Sequence, residues 1–79
     1  MTNIETLNRI FGEVFNINED AEINSLQKEN TANWDSVHQL ALTSSIEDEF
    51  DIMLDAEDII NLTSYDNAKS ILTKYNIEI

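Results

Sequence analysis

Apolar residues recur at helical spacing in four stretches, and polar segments separate them. Ile4, Leu7, Ile10, Phe11 and Val14 fall on one side of a helix predicted from about Thr2 to Phe15. Thr2 followed by Glu5 fits a capping box at its start. Residues Asn16 to Trp34 are rich in Asn, Asp, Glu and Ser, and their apolar members Ile17, Ile23, Leu26 and Trp34 show no clear period. This predicts a long loop pinned to the core at several points; loops of such length are uncommon and often functional. A second helix is predicted from about Ser36 to Phe50, with Val37, Leu40, Ala41, Ser44, Leu42, Ile46 and Phe50 forming a broad apolar face. Asp55 to Leu62 reads as a short third helix, capped by Asp55 and burying Ile59, Ile60 and Leu62. The fourth begins near Ser64 or Asp66, with Ala68, Ile71, Leu72 and Tyr75 at i, i+3, i+4 and i+7. The tail from Asn76 to Ile79 is expected to fray.

Composition agrees with an all-α fold. The 79 residues include no proline, no cysteine and one glycine, Gly12. Turn-rich β architectures depend on glycine and proline, and without cysteine there are no disulfides or thiolate metal sites. Gly12 costs about 1 kcal/mol against alanine within a helix, and would permit a close helix contact. One domain spanning residues 1–79 is expected, burying only about 60% of the surface of its unfolded chain. No apolar run approaches the ~20 residues of a membrane span. The start, Met1-Thr2-Asn3-Ile4-Glu5, lacks the basic and apolar regions of a secretion signal, so a soluble, cytoplasmic protein is expected; it is also expected to be a monomer.

Sixteen acidic residues face four basic ones, Arg9, Lys28, Lys69 and Lys74, for a net charge of −12. This disfavours nucleic acid and anionic lipid as partners and suits docking onto basic surfaces. Ser36 and His38 stand two apart on a helix and so point to different sides, which excludes a serine–histidine nucleophile pair. There is no second histidine for a base or a transition-metal site. Glu47, Asp48, Glu49, Asp51, Asp55, Glu57 and Asp58 form an acidic block without the glycine and spacing of a calcium loop. Glu47 and Asp51, four apart, repel each other by a few tenths of a kcal/mol. Asn61-Leu62-Thr63 is a glycosylation sequon only in form. Trp34 is expected to anchor the loop to the core, and His38 to be exposed, neutral and without a partner. Either Asp35 or Ser36 can cap the second helix. With Asp35 as the cap, the Ser36 hydroxyl would face solvent at a positive helix end, where a phosphodiester is electrostatically suited.

Over almost its whole length the chain resembles the acyl carrier proteins of the phosphopantetheine-binding family. The resemblance lies in Asp35-Ser36-Val37, in Leu40 and Leu42, and in the exit Ile46-Glu47-Asp48-Glu49-Phe50-Asp51-Ile52. Asp55-Ala56-Glu57-Asp58-Ile59 and Leu62-Thr63-Ser64-Tyr65-Asp66-Asn67-Ala68 extend it. It implies a four-helix bundle of three longer helices and a short third one. It implies a carrier, not an enzyme, whose Ser36 receives a 4'-phosphopantetheine arm from coenzyme A by a separate phosphopantetheinyl transferase. The arm's thiol would hold cargo as a thioester, in fatty-acid, lipid, polyketide or other secondary-metabolite synthesis, at high effective concentration for successive enzymes. Asp35, Val37, His38, Glu47, Asp48 and Asp51 are the expected contacts for the transferase, for an acyl-loading ligase or acyltransferase, and for synthases. Leu40, Ile46, Leu54, Ile59 and Leu62 would line a cargo space between the second and third helices, or serve as ordinary core.

Four positions depart from the family pattern. Asn33 stands where glycine is frequent; asparagine tolerates left-handed angles. His38 replaces a frequent acid, and Ala41 and Ser44 replace commonly acidic and large apolar residues. The amino half of the second helix is thus less negative than in a housekeeping carrier, which suggests a dedicated pathway with its own loading enzyme. The alternatives are an aminoacyl, D-alanyl or peptidyl carrier of the same fold, or an unmodified acidic helical interaction module.

Overall fold

Three helix ends take the left-handed turn that glycine usually supplies, and none of them has a glycine. In the computed structural model, which describes residues 2–79, Asn16, Asp51 and Asn76 adopt φ of 57°, 53° and 66°. Met1, the first residue of the expected domain, lies outside the described residues. Asparagine and aspartate are the side chains that best tolerate this region. At each end the next residue's N–H reaches back five positions: Ile17 to Gly12 O at 2.9 Å, Ile52 to Glu47 O at 3.2 Å and Ile77 to Leu72 O at 3.0 Å. This is the Schellman pattern, which satisfies carbonyls that a helix end otherwise leaves unpaired.

The elements between these ends are all helical, and no strand forms among the described residues. The helices are α1 (Asn3–Phe15), α2 (Asp20–Asn24), α3 (Ser36–Phe50), α4 (Ala56–Asn61) and α5 (Tyr65–Lys74), with a 3-10 turn at Lys28–Asn30. Helices therefore number five among the described residues, where four were expected. None is long and apolar enough to cross a membrane.

The long polar stretch is less irregular than its pattern suggests. Helix α2 has only five residues and no side-chain cap, so it is too short to display a period. It presents Ile23 to the core, and Leu26 and Trp34 follow it inward. The loop is also tied to the start of α5: Lys28 N–H donates to Thr63 O at 2.8 Å and Tyr65 N–H to Leu26 O at 3.0 Å. Trp34 is the core anchor it was expected to be, wedged against Phe15 with ring centres 4.8 Å apart and against Phe11 at 6.1 Å. Edge-to-face and tilted contacts of this kind add to the burial of the rings themselves.

Helix α1 begins at the expected capping box: Glu5 N–H donates to Thr2 Oγ1 at 3.2 Å, and Thr2 N–H to Glu5 Oε1 at 3.0 Å. Asp55 caps α4, and Ser64, not Asp66, caps α5. Arg9 pairs with Glu13 on its own helix and with Glu49 of α3 at 2.7 Å. Gly12 serves a close contact, but with the chain's own return: a Cβ there would lie 2.7 Å from Ile17 O. The tail, expected to fray, is hydrogen-bonded to the fold as far as Glu78. Besides the Ile77 bond, Asn76 N–H donates to Thr73 O, and Asn3 Nδ2 to Glu78 O at 2.9 Å.

Two predicted apolar faces are corrected. On α3 the buried residues are Leu42, Thr43 and Ile46, whereas Val37, Leu40, Ala41 and Ser44 face outward. Apolar residues occur on both sides of this helix, so the pattern alone could not choose the inner one. On α4, Leu62 is buried just past the end and Ile59 half-buried, but Ile60 is exposed and the inward residue of the helix is Asp58.

Candidate functional site

The start of α3 is held from three directions. Asp35 is its cap: Oδ1 accepts from His38 N–H at 3.0 Å. The first helical bond runs from Gln39 N–H to Asp35 O at 2.9 Å, so the amides of Ser36 and Val37 precede it. Because Asp35 takes the capping role, Ser36 is spared it, and Ser36 is exposed. Asn33 does not take a left-handed angle, so the glycine frequent at that position has no conformational counterpart here.

His38 is not the partnerless residue its sequence context implied. Its Nδ1 lies 2.8 Å from Asp35 Oδ1, and its ring stacks on Phe15 with centres 5.7 Å apart and planes 16° from parallel. It is half-buried. The ring and then the backbone N–H of His38 hydrogen-bond the Asp35 carboxylate and hold its pKa below the usual carboxylate range.

Gln39 holds the other flank, and its pattern gave no hint of this. Its Oε1 accepts from Trp34 Nε1 at 2.5 Å, and its Nε2 donates to Ile59 O at 2.9 Å and Leu62 O at 3.0 Å. One amide thus joins the first turns of α3 to the carboxyl end of α4 and to the loop. Only once packing has fixed Gln39, Leu42, Thr43, Ile46 and Phe50 as the inner stripe does it follow that a polar residue there needs partners.

The remaining expected contacts separate into outer and inner groups. Val37 is 72% exposed and Leu40 68%, so Leu40 lies on the surface and lines no interior space. Asp48 and Asp51 are exposed at the far end of α3. Glu47 is turned to the fold: its Oε2 accepts from Leu54 N–H at 2.9 Å and steadies the α3–α4 connection. Ile46, Leu54 and Leu62 are core residues, and Ile59 packs at their edge.

Asp58, read only as part of the acidic block, is buried, and its carboxylate accepts from Lys74 Nζ at 2.9 Å and from the Tyr75 hydroxyl. These bonds, Tyr75 first, keep its pKa below the usual range. Surface clefts occur elsewhere. One of about 820 Å³ is bordered by Gln27, Lys28, Trp34, Thr63 and Asn67, and one of about 530 Å³ by Asn8, Gly12, Asn16 and Asp20. Neither includes Ser36 or the expected cargo residues. Among the described residues no group of three or more His, Asp or Glu side chains is arranged to hold a metal.

Comparison of the chain with known protein families, with curated proteins and with solved structures finds no match.

Proposed function

We propose that the chain is an acyl carrier protein, modified on Ser36 with a 4'-phosphopantetheine arm. The observation that carries this reading is the exposed Ser36 immediately after the capping Asp35, at the head of a fifteen-residue helix. The sequence resemblance supports the same residue. The fit to the group is chemical: a free primary hydroxyl stands beside helix amides that precede the first backbone bond, where a phosphodiester's negative charge is favoured. Bound there, the arm supplies the thiol that the chain lacks. The chain's own residues set the stage. Asp35 fixes the helix start and His38 braces Asp35; Ser36 Oγ would attack the pantetheine-side phosphorus of coenzyme A, the pyrophosphate P–O bond breaking to release adenosine 3',5'-bisphosphate while the hydroxyl proton passes to the transferase.

The outer face of α3 suits partner enzymes. Val37 and Leu40 offer apolar contact near Ser36, and Asp48 and Asp51 offer charge for basic surfaces. The reduced acidity around His38, Ala41 and Ser44 supports service in a dedicated pathway. The test is intact mass after incubation with a phosphopantetheinyl transferase and coenzyme A. The expected result is the gain of one phosphopantetheine, absent in Ser36→Ala. A wild-type chain left unmodified by a transferase that labels other carriers would overturn the reading. Turnover by general fatty-acid-synthesis enzymes equal to that of a housekeeping carrier would remove the dedicated role.

A further inference from the structure

We infer that cargo carried on Ser36 stays outside the bundle, so that this carrier takes short or polar acyl groups and not long alkyl chains. The inference rests on the carrier reading and deepens it. A long alkyl group tethered in water is unfavourable in proportion to its exposed area and gains by entering an apolar interior. From Ser36 the nearby routes inward flank the first turns of α3, and both are filled. On the α1 side, the His38 ring stacks on Phe15, and Trp34 packs against Phe11 and Phe15.

On the α4 side, Gln39 spans the seam with three hydrogen bonds, to Trp34, Ile59 and Leu62. Drawing it aside would leave the Leu62 carbonyl and the Trp34 indole N–H without partners, and the Ile59 carbonyl with only the Leu62 N–H, a cost no alkyl chain can offset by hydrogen bonding. Behind the seam the interior is already occupied: Leu42 and Leu62 are 0% exposed and Ile46 1%. Helix α4 is restrained at its other flank as well, because Asp58 is bonded to Lys74 and Tyr75 of the α5 end. The apolar side chains that do accompany Ser36, Val37 and Leu40, are on the open face of α3 and can touch a cargo without enclosing it.

The experiment compares the full chain loaded by a transferase from acetyl- and octanoyl-coenzyme A, with loading verified by mass. Melting temperature and the NMR signals of Leu42, Ile46 and Leu62 are the readouts. The expected result is an equal melting temperature for the two forms and unmoved core signals. Hydroxylamine should release both acyl groups at equal rates. A higher melting temperature and shifted core signals in the octanoyl form would overturn the inference while leaving the carrier reading intact. Failure to load at all would remove both and is recognised by the unchanged mass. In Gln39→Ala the octanoyl group should move the core signals that it leaves alone in the wild type. Equal exclusion in that variant would overturn the assignment of the seal to Gln39.

Discussion

Asp58 and Tyr75, seventeen residues apart, meet through a hydrogen bond from the tyrosine hydroxyl to the buried carboxylate, and Lys74 completes the group at 2.9 Å. A buried carboxylate needs such partners, because desolvation without them favours its neutral form. Here the partners prevail and lower the pKa of Asp58, while the pKa values of Tyr75 and Lys74 are raised, chiefly by their bonds to Asp58.

The signs predict a stability plateau with two edges. A lowered folded-state pKa means that the Asp58 contribution is present above the unfolded value, near pH 4, and is lost as pH falls through the folded value. The raised pKa values of Tyr75 and Lys74 mean that their contributions are complete below about pH 10 and are lost above it. Melting curves of wild type and Asp58→Asn across pH checks this. The variant should melt several degrees lower at pH 7, and the gap should narrow below about pH 4. A gap independent of pH would show that shape alone, and not charge, matters at this position.

Gly12→Ala should destabilise the protein even though alanine is the better helix former. The intrinsic preference is about 1 kcal/mol, but the new Cβ would stand 2.7 Å from the carbonyl oxygen of Ile17. That atom is backbone and accepts no easy displacement, because the Ile17 N–H is bonded to Gly12 O. Overpacking of this kind costs about 1–3 kcal/mol. The expected outcome in denaturant unfolding is a lower midpoint with an unchanged slope.

Much of the helical framework was legible because caps and periodic apolar positions coincide. Thr2 with Glu5, Asp55 and Ser64 each mark a helix start and were readable as such. What was hidden depended on distant partners. Helix α3 carries apolar residues on both faces, so only the packing of α1 against it decides that Leu42 and Ile46 turn inward while Val37 and Leu40 turn outward. Gln39, His38 and Asp58 are polar residues whose roles are set by Ile59, Phe15 and Tyr75, which no local pattern connects to them. The exposure of Ser36 followed from a choice between two adjacent caps, and the three-dimensional arrangement gives the capping bond to Asp35.

Asp51→Gly should stabilise the chain. Asp51 ends α3 at φ 53°, a region that glycine enters without a Cβ penalty. Its charge also opposes the negative end of the helix dipole and stands four residues from Glu47. Together these predict a gain of about 0.5–1 kcal/mol, or a rise of a few degrees in melting temperature for a domain of this size. A fall on substitution would mean that the aspartate side chain supports the α3–α4 connection in its own right.

Ser36 and Asp35 should separate cleanly in a paired substitution. Ser36 is exposed and makes no capping bond, so Ser36→Ala should leave the melting temperature unchanged and, under the proposed carrier function, abolish transfer of phosphopantetheine. Asp35 makes the cap and holds His38, so Asp35→Ala should lower the melting temperature by several degrees. It should also slow modification of Ser36 without abolishing it, because the hydroxyl remains but the helix start that presents it loosens. Melting curves and time-resolved intact mass on the same two variants decide the matter. A destabilised Ser36→Ala would assign the serine to the cap, and its exposure would then owe nothing to Asp35.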